Sequence, residues 1–192
     1  MKLYDNLEYQ IKWTLNVDKL LHLDATIYDK SNNKLGTIKN EYADGVFPET
    51  SQIMLSDSKE RPILVSTNSV IYDVSNMDDK ISLGIVTEKI LSFSDQKDLK
   101  SLNKHEIFLI YKSTGGGCEI TDKNKNKIIH MTSQEKMLSS FWSFKGYQVT
   151  LNLEILDNDF DKRMIFGLLL HGIADYHSKL ECHLSENENS LM

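Results

Sequence analysis

The sequence is poor in cysteine and in proline. Its two cysteines, Cys118 and Cys182, are far apart and outside CxxC spacing, so two free thiols are expected rather than a disulfide framework. Proline occurs only at Pro48 and Pro62, while Lys, Asn, Asp, Ile and Ser abound, a bias that fits an AT-rich coding sequence. Positive charge is not in excess. The net charge of −6 argues against nucleic acid as a partner, because such binding needs a basic face. No apolar stretch follows Met1, residue 2 is Lys2 rather than the glycine of a myristoylation signal, and no CaaX box is present; the expectation is a cytoplasmic protein, at most peripheral at membranes. The longest apolar run, 164–174, is 11 residues, against roughly 20 for a membrane span. It reads as a buried core helix, with no transmembrane segment expected.

Signatures of catalysis are missing too. There is no GxxxxGK[ST], GxSxG or HExxH motif. The run Gly115-Gly116-Gly117 opens a β segment and not a helix, so it reads as a hairpin approach rather than a phosphate loop. Cys118 has no evident His partner. The expectation is a protein without catalytic residues, cofactor or metal.

What is present is a repeated local unit. A β-rich run meets an Asp, a polar turn follows, and a second β-rich run begins. The copies centre on Asp29 (turn 30–34), Asp57 (turn 58–61), Asp73 (turn 74–80) and Asp122 (turn 123–126). Alternating apolar residues bury one face of each strand. Asp hydrogen-bonds the backbone just beyond it, and the asparagines of Ser31-Asn32-Asn33 and Lys123-Asn124-Lys125-Asn126 accept positive φ. Four such hairpins predict an antiparallel meander that curls to hide its edges. Further strands are expected over 20–28, 88–94, 106–112 and 147–155, and a loop over the charged stretch 94–105. Asp157, Asn158 or Asp159 can cap the helix that follows. A curled sheet followed by one short, wholly apolar helix suggests a barrel wrapped around that helix. An apolar fraction of 40% is enough for one core. The domain reading is a single barrel over 1–180 with its core helix near 160–177, and a disordered polar tail over 181–192.

The segment 147–177, a strand ending in acids followed by Lys162-Arg163-Met164-Ile165-Phe166-Gly167 and then Asp175-Tyr176, resembles the C-terminus of phospholipid scramblases. Those belong to the tubby C-terminal-like superfamily with the LURP-one-related proteins. The resemblance covers roughly 20–177. It implies a mainly β fold, a closed antiparallel barrel of about twelve strands around a central apolar C-terminal helix. It also implies a binding or scaffold module, since tubby-type members bind phosphoinositides through basic surface residues. Scramblases carry acids just before the last strand; here 139–146 has no carboxylate, so calcium at that position is not implied. The N-terminal proline-rich arm and cysteine cluster of scramblases are also missing.

The residues offer several candidate sites. Lys30, Lys34 and Lys39 on one hairpin and Lys123, Lys125 and Lys127 on another are the candidate contacts for acidic phospholipid headgroups if their turns share an end of the barrel; solvated turn charges are the plain alternative, and a protein partner the other. Asp157, Asp159 and Asp161 could ligate a cation, although the EF-hand positions that need Gly and Glu hold Lys162 and Leu168; a turn and helix cap is the other reading. His171 is either a ligand or pH sensor inside the barrel or a core histidine, with Asp175 one turn on to orient it. His177, Cys182 and His183 match no zinc spacing. Phe141, Trp142 and Phe144 are core or an exposed aromatic lip. A barrel holding a small apolar ligand and scramblase-like lipid handling are the alternative functions.

Overall fold

The computed structural model describes residues 2–16, 22–41, 52–76, 79–91, 94–102, 106–114, 117–140 and 143–189. Twelve strands are followed by one helix: β1 (Glu8–Asn16), β2 (Asp24–Tyr28), β3 (Lys34–Glu41), β4 (Gln52–Asp57), β5 (Pro62–Thr67), β6 (Val70–Asn76), β7 (Asp79–Leu91), β8 (Ser94–Lys100), β9 (Ile107–Thr114), β10 (Gly117–Asp122), β11 (Lys127–Ser140), β12 (Ser143–Ile155) and α1 (Lys162–Asn189). Each strand pairs with its sequence neighbour, and β1 closes on β12 from Glu8 opposite Glu154 to Asn16 opposite Gly146. The result is the expected closed antiparallel barrel. Because every pairing is antiparallel, successive connections alternate between the two ends. The β2–β3, β4–β5, β6–β7, β8–β9 and β10–β11 connections meet at one end, here the turn end, where α1 also begins.

Three of the four Asp units fold alike. Asp29, Asp57 and Asp122 each accept a bond from the amide four residues on, at 2.8, 3.0 and 2.8 Å. The same Asp also holds that residue's side chain: Asn33 and Asn126 through the amide, Arg61 through the guanidinium. The residue at the third position turns left-handed: Asn32 at φ 62°, Glu60 at 63° and Lys125 at 68°. In the last turn the positive φ thus falls on Lys125 and not on the flanking asparagines. Asp73 departs from the set. It binds Ser75 within its own strand and reaches Arg163 of α1 at 2.9 Å.

The helix lies on the barrel axis. Ile165, Phe166, Leu168, Leu169, Leu170 and Ile173 are at most 1% exposed, and α1 touches strands on several sides of the barrel. Packing there is close. A Cβ on Gly167 would come within 2.8 Å of Ile71, and one on Gly172 within 2.6 Å of the Tyr111 ring. At the turn end, Tyr4 and Tyr9 flank the Phe166 ring at 5.9 and 5.2 Å. The Lys162 ammonium donates to the carbonyls of Tyr4 and Asn6, tying the N-terminal 3-10 turn (Lys2–Asp5) over the start of α1.

Four expectations are corrected. The helix runs to Asn189, so 181–189 is helical and not a disordered tail. Its cap is Asp161, beyond the three residues the sequence offered; the Asp161 carboxylate accepts the Arg163 amide at 3.0 Å. β2 begins at Asp24, so residues 22–23 of the expected strand are not part of it, and 20–21 lie outside the described residues. The charged stretch 94–100 is strand β8, whose buried Lys97 pairs with Glu88 and Asp175 and whose Asp98 pairs with Lys89. Residues 115–116, and the side chains of Phe141, Trp142 and Phe144, lie outside the described residues.

Candidate functional site

Five of the six candidate lysines stand at the turn end. Lys30 and Lys34 flank the Asp29 turn, and Lys123, Lys125 and Lys127 sit in or beside the Asp122 turn. The two hairpins are separated around the wall only by β1 and β12. Lys39 is elsewhere: it lies opposite Asp24, toward the far end, with 4.0 Å between their charged atoms. Four of the five are already matched by carboxylates. Lys30 pairs with Glu8, Lys34 with Glu60 at 3.5 Å, Lys123 with Glu106 at 3.6 Å and Lys127 with Glu119 at 3.3 Å. Such exposed pairs are worth about 0–1 kcal/mol each.

The same end carries apolar side chains that sequence reasoning missed. Leu7, Ile81, Leu102 and Leu156 are each roughly half exposed. Leu7 and Leu156 are neighbours, since the Ile155 amide donates to the Leu7 carbonyl at 2.7 Å. Leu102 lies in the β8–β9 connection and Ile81 near the start of β7. Nothing in a single sequence distinguishes these residues from core positions: they are apolar and lie at or just beyond strand ends, where the barrel rim leaves them uncovered.

Acidic groups at this end are turned to structural work. Arg163 lies between Asp73 at 2.9 Å and Asp161 at 2.7 Å. Burial raises the Asp73 carboxyl, but Ser75 and Arg163 outweigh it and hold it below its ordinary range. Asp161 behaves alike: burial raises it, but Arg163 outweighs that and holds it below its ordinary range. Asp157 accepts its bond from the Asp159 amide at 3.0 Å. Among the described residues no three His, Cys, Asp or Glu side chains are grouped to hold a metal ion.

A second polar group lies inside the wall toward the far end. Lys97 on β8 is 2% exposed and pairs with Glu88 on β7 and with Asp175 on α1, the latter at 2.8 Å. His171, one turn before Asp175, meets the Ser66 hydroxyl at 2.7 Å. Burial and the Lys97 charge push the His171 pKa down to about 4, so near neutral pH it is an uncharged imidazole. Asp175 therefore serves Lys97 rather than His171. His177 is buried on the next turns, 3.1 Å from Glu181, and Cys182 is exposed. Lys97 was hidden in the sequence because Ser94-Asp95-Gln96-Lys97-Asp98 has no apolar member to mark a strand.

The fold defines the class: a closed twelve-stranded antiparallel barrel with a helix on its axis. No protein-family model matches the chain, and no curated protein matches it. Among solved structures, an X-ray structure of a protein from Arabidopsis thaliana is similar, at a TM-score of 0.46 and 14% identity over 88% of this chain and 90% of that one. No helix among the described residues is long and apolar enough to cross a membrane.

Proposed function

We propose that this protein is a non-enzymatic binding module whose turn end contacts acidic phospholipid headgroups at a membrane surface. The observation that carries the reading is the convergence on one end of Lys30, Lys34, Lys123, Lys125 and Lys127 with the half-exposed Leu7, Ile81, Leu102 and Leu156. Lysines gain about 1 kcal/mol each near an anionic surface, and exchange of a weak surface carboxylate for a phosphate costs little. Four lysines begin with a carboxylate partner and the chain is acidic, so the contact is weak and salt-sensitive. The non-enzymatic part rests on the interior: Ser66 is 2% exposed, and the carboxylate that could orient His171 is held by Lys97. A small apolar ligand on the axis is disfavoured, because the approaches at Gly167 and Gly172 leave no room for one methyl group there.

The test is co-sedimentation with phosphatidylcholine vesicles, with and without phosphatidylinositol phosphates, at low and high salt. The protein should pellet only with the anionic vesicles, only at low salt, and less after joint replacement of Lys123, Lys125 and Lys127 by serine. Failure to pellet with either vesicle at low salt refutes the lipid reading and leaves a protein partner for this end. Lipid exchange in reconstituted vesicles would instead favour scramblase-like handling.

A further inference from the structure

Among the described residues the briefest pairing in the barrel wall is that of β1 with β2. All nine residues of β1 pair with β12, but only Gln10, Lys12 and the intervening Ile11 pair with β2. The odd-numbered positions of β1 point their backbone groups at β12: the Leu7 carbonyl accepts from Ile155 at 2.7 Å, and the Leu15 carbonyl faces Gly146. Ladder alternation therefore turns the N–H and C=O groups of Thr14 and Asn16 to the other flank. By the same rule Asp24 of β2 turns its backbone toward β1, since the Leu23 carbonyl before it accepts from Asn40 of β3. No described strand lies against these groups. Between them opens a cleft of about 940 Å3, walled by Lys12, Thr14 and Asn16 on one side and by Asp24, Thr26 and Lys39 on the other. It lies toward the far end, away from the turn-end lysines.

We propose that this seam is a docking slot for an extended segment of a partner protein, which adds a short strand to the free flank of β1. Backbone donors and acceptors that meet no partner among the described residues, at strand spacing, select an extended main chain. The cleft floor selects against bulk: Trp13 and Leu23 are already 3% and 2% exposed, so inward-facing residues of the segment must be small. The outer rim selects for acid. The Lys12 ammonium rests on the Asn32 side-chain carbonyl at 3.3 Å and over the Tyr28 ring at 5.0 Å, groups without negative charge. Lys39 shares Asp24 only at 4.0 Å. The segment that fits alternates small residues inward with carboxylates outward.

The probe is a fluorescein-labelled peptide alternating alanine and aspartate, titrated into the full chain and read by anisotropy and by amide exchange. The Thr14 and Asn16 amides should exchange freely without peptide and be protected by its binding. Thr14→Pro removes one donor from the free flank and none from the β12 ladder. It should leave the fold intact and weaken the peptide about tenfold, the effect of one lost backbone bond. A peptide N-methylated at alternate residues, tested on the unaltered protein, should weaken similarly, so the result does not depend on the variant folding. Absence of binding, affinity indifferent to Thr14→Pro and N-methylation, or Thr14 and Asn16 amides protected in the free protein each overturn the proposal. None of these outcomes bears on the vesicle test, which reads the opposite end.

Discussion

Gly172→Ala sets two physical effects against each other, and its sign tests whether α1 is enclosed. Gly172 lies inside a long helix, where replacing glycine by alanine ordinarily stabilises by about 1 kcal/mol. Here the new Cβ would meet Cε2 and Cζ of Tyr111 at 2.6 and 2.7 Å, about 1 Å inside ordinary carbon contact. Tyr111 is 3% exposed and its hydroxyl donates to the Cys118 sulfur at 3.1 Å, so the ring has little freedom to yield. Overpacking of this kind costs about 1–3 kcal/mol. The net expectation is a destabilisation of up to about 2 kcal/mol, or several degrees in Tm for a domain of this size. Urea unfolding followed by circular dichroism measures it. Tyr111→Leu removes the ring atoms that the Cβ would strike, so in that background Gly172→Ala should stabilise by about 1 kcal/mol. The double-mutant cycle then gives a coupling of about 1–3 kcal/mol. If Gly172→Ala stabilises the unaltered protein, the helix is not packed against β9 and the axial arrangement is wrong.

Three further outcomes follow from the same geometry. His171 has its pKa pushed down to about 4 by burial and Lys97, so below the ordinary histidine pKa of about 6.5 the unfolded chain takes up a proton that the folded one refuses. Stability should be full above about pH 6.5 and fall between there and about pH 4, by at most about 1.4 kcal/mol per pH unit; urea midpoints across that range should flatten in His171→Gln. Arg163→Met should cost about 1–3 kcal/mol, because it strands Asp73, whose side chain is 7% exposed. It should also reduce the loss of stability on acidification below about pH 4, since Asp73 and Asp161 are held low by that guanidinium and acid titration of the variant would show it. Lys97→Met, which keeps the bulk of the side chain, should destabilise by less than about 2 kcal/mol, because Glu88 and Asp175 are exposed enough to hydrate; thermal melts showing a loss well beyond that would mean the pair is more deeply shielded than its exposure indicates.

Local chemistry made most of the architecture legible. Asp29, Asp57 and Asp122 announce their turns because each Asp satisfies the turn it begins, an interaction contained within five residues. The core helix was legible because the run 164–174, polar only at His171, leaves it no polar face. What stayed hidden depends on partners distant in sequence. β8 carries Lys97 and Asp98 into the wall, and their burial is tolerable only because Glu88, Lys89 and Asp175 converge on them. Asp73 sits in the same pattern as its three counterparts yet serves Arg163, 90 residues away. The lysines were legible as types, but the carboxylates matched to them and the exposed leucines beside them depend on which strands become neighbours. The seam beside β1 left no trace in the sequence, since Trp13, Thr14, Leu15 and Asn16 alternate like any paired strand.

The axial position of α1 also fixes an order of events. The helix follows all twelve strands in the chain, and β1 has no partner on its longer seam until β12 is made. At about 5–20 residues per second of synthesis, Glu8 waits roughly 7–30 s on the ribosome before Glu154 exists. Throughout that interval the inward faces of the strands have no axis to pack on, and the growing sheet has open edges at both margins. A chain in that condition exposes the unpaired strand edges and apolar faces that promote association with other chains. Closure should therefore wait for the apolar turns of α1, the segment around which the strands made before it close.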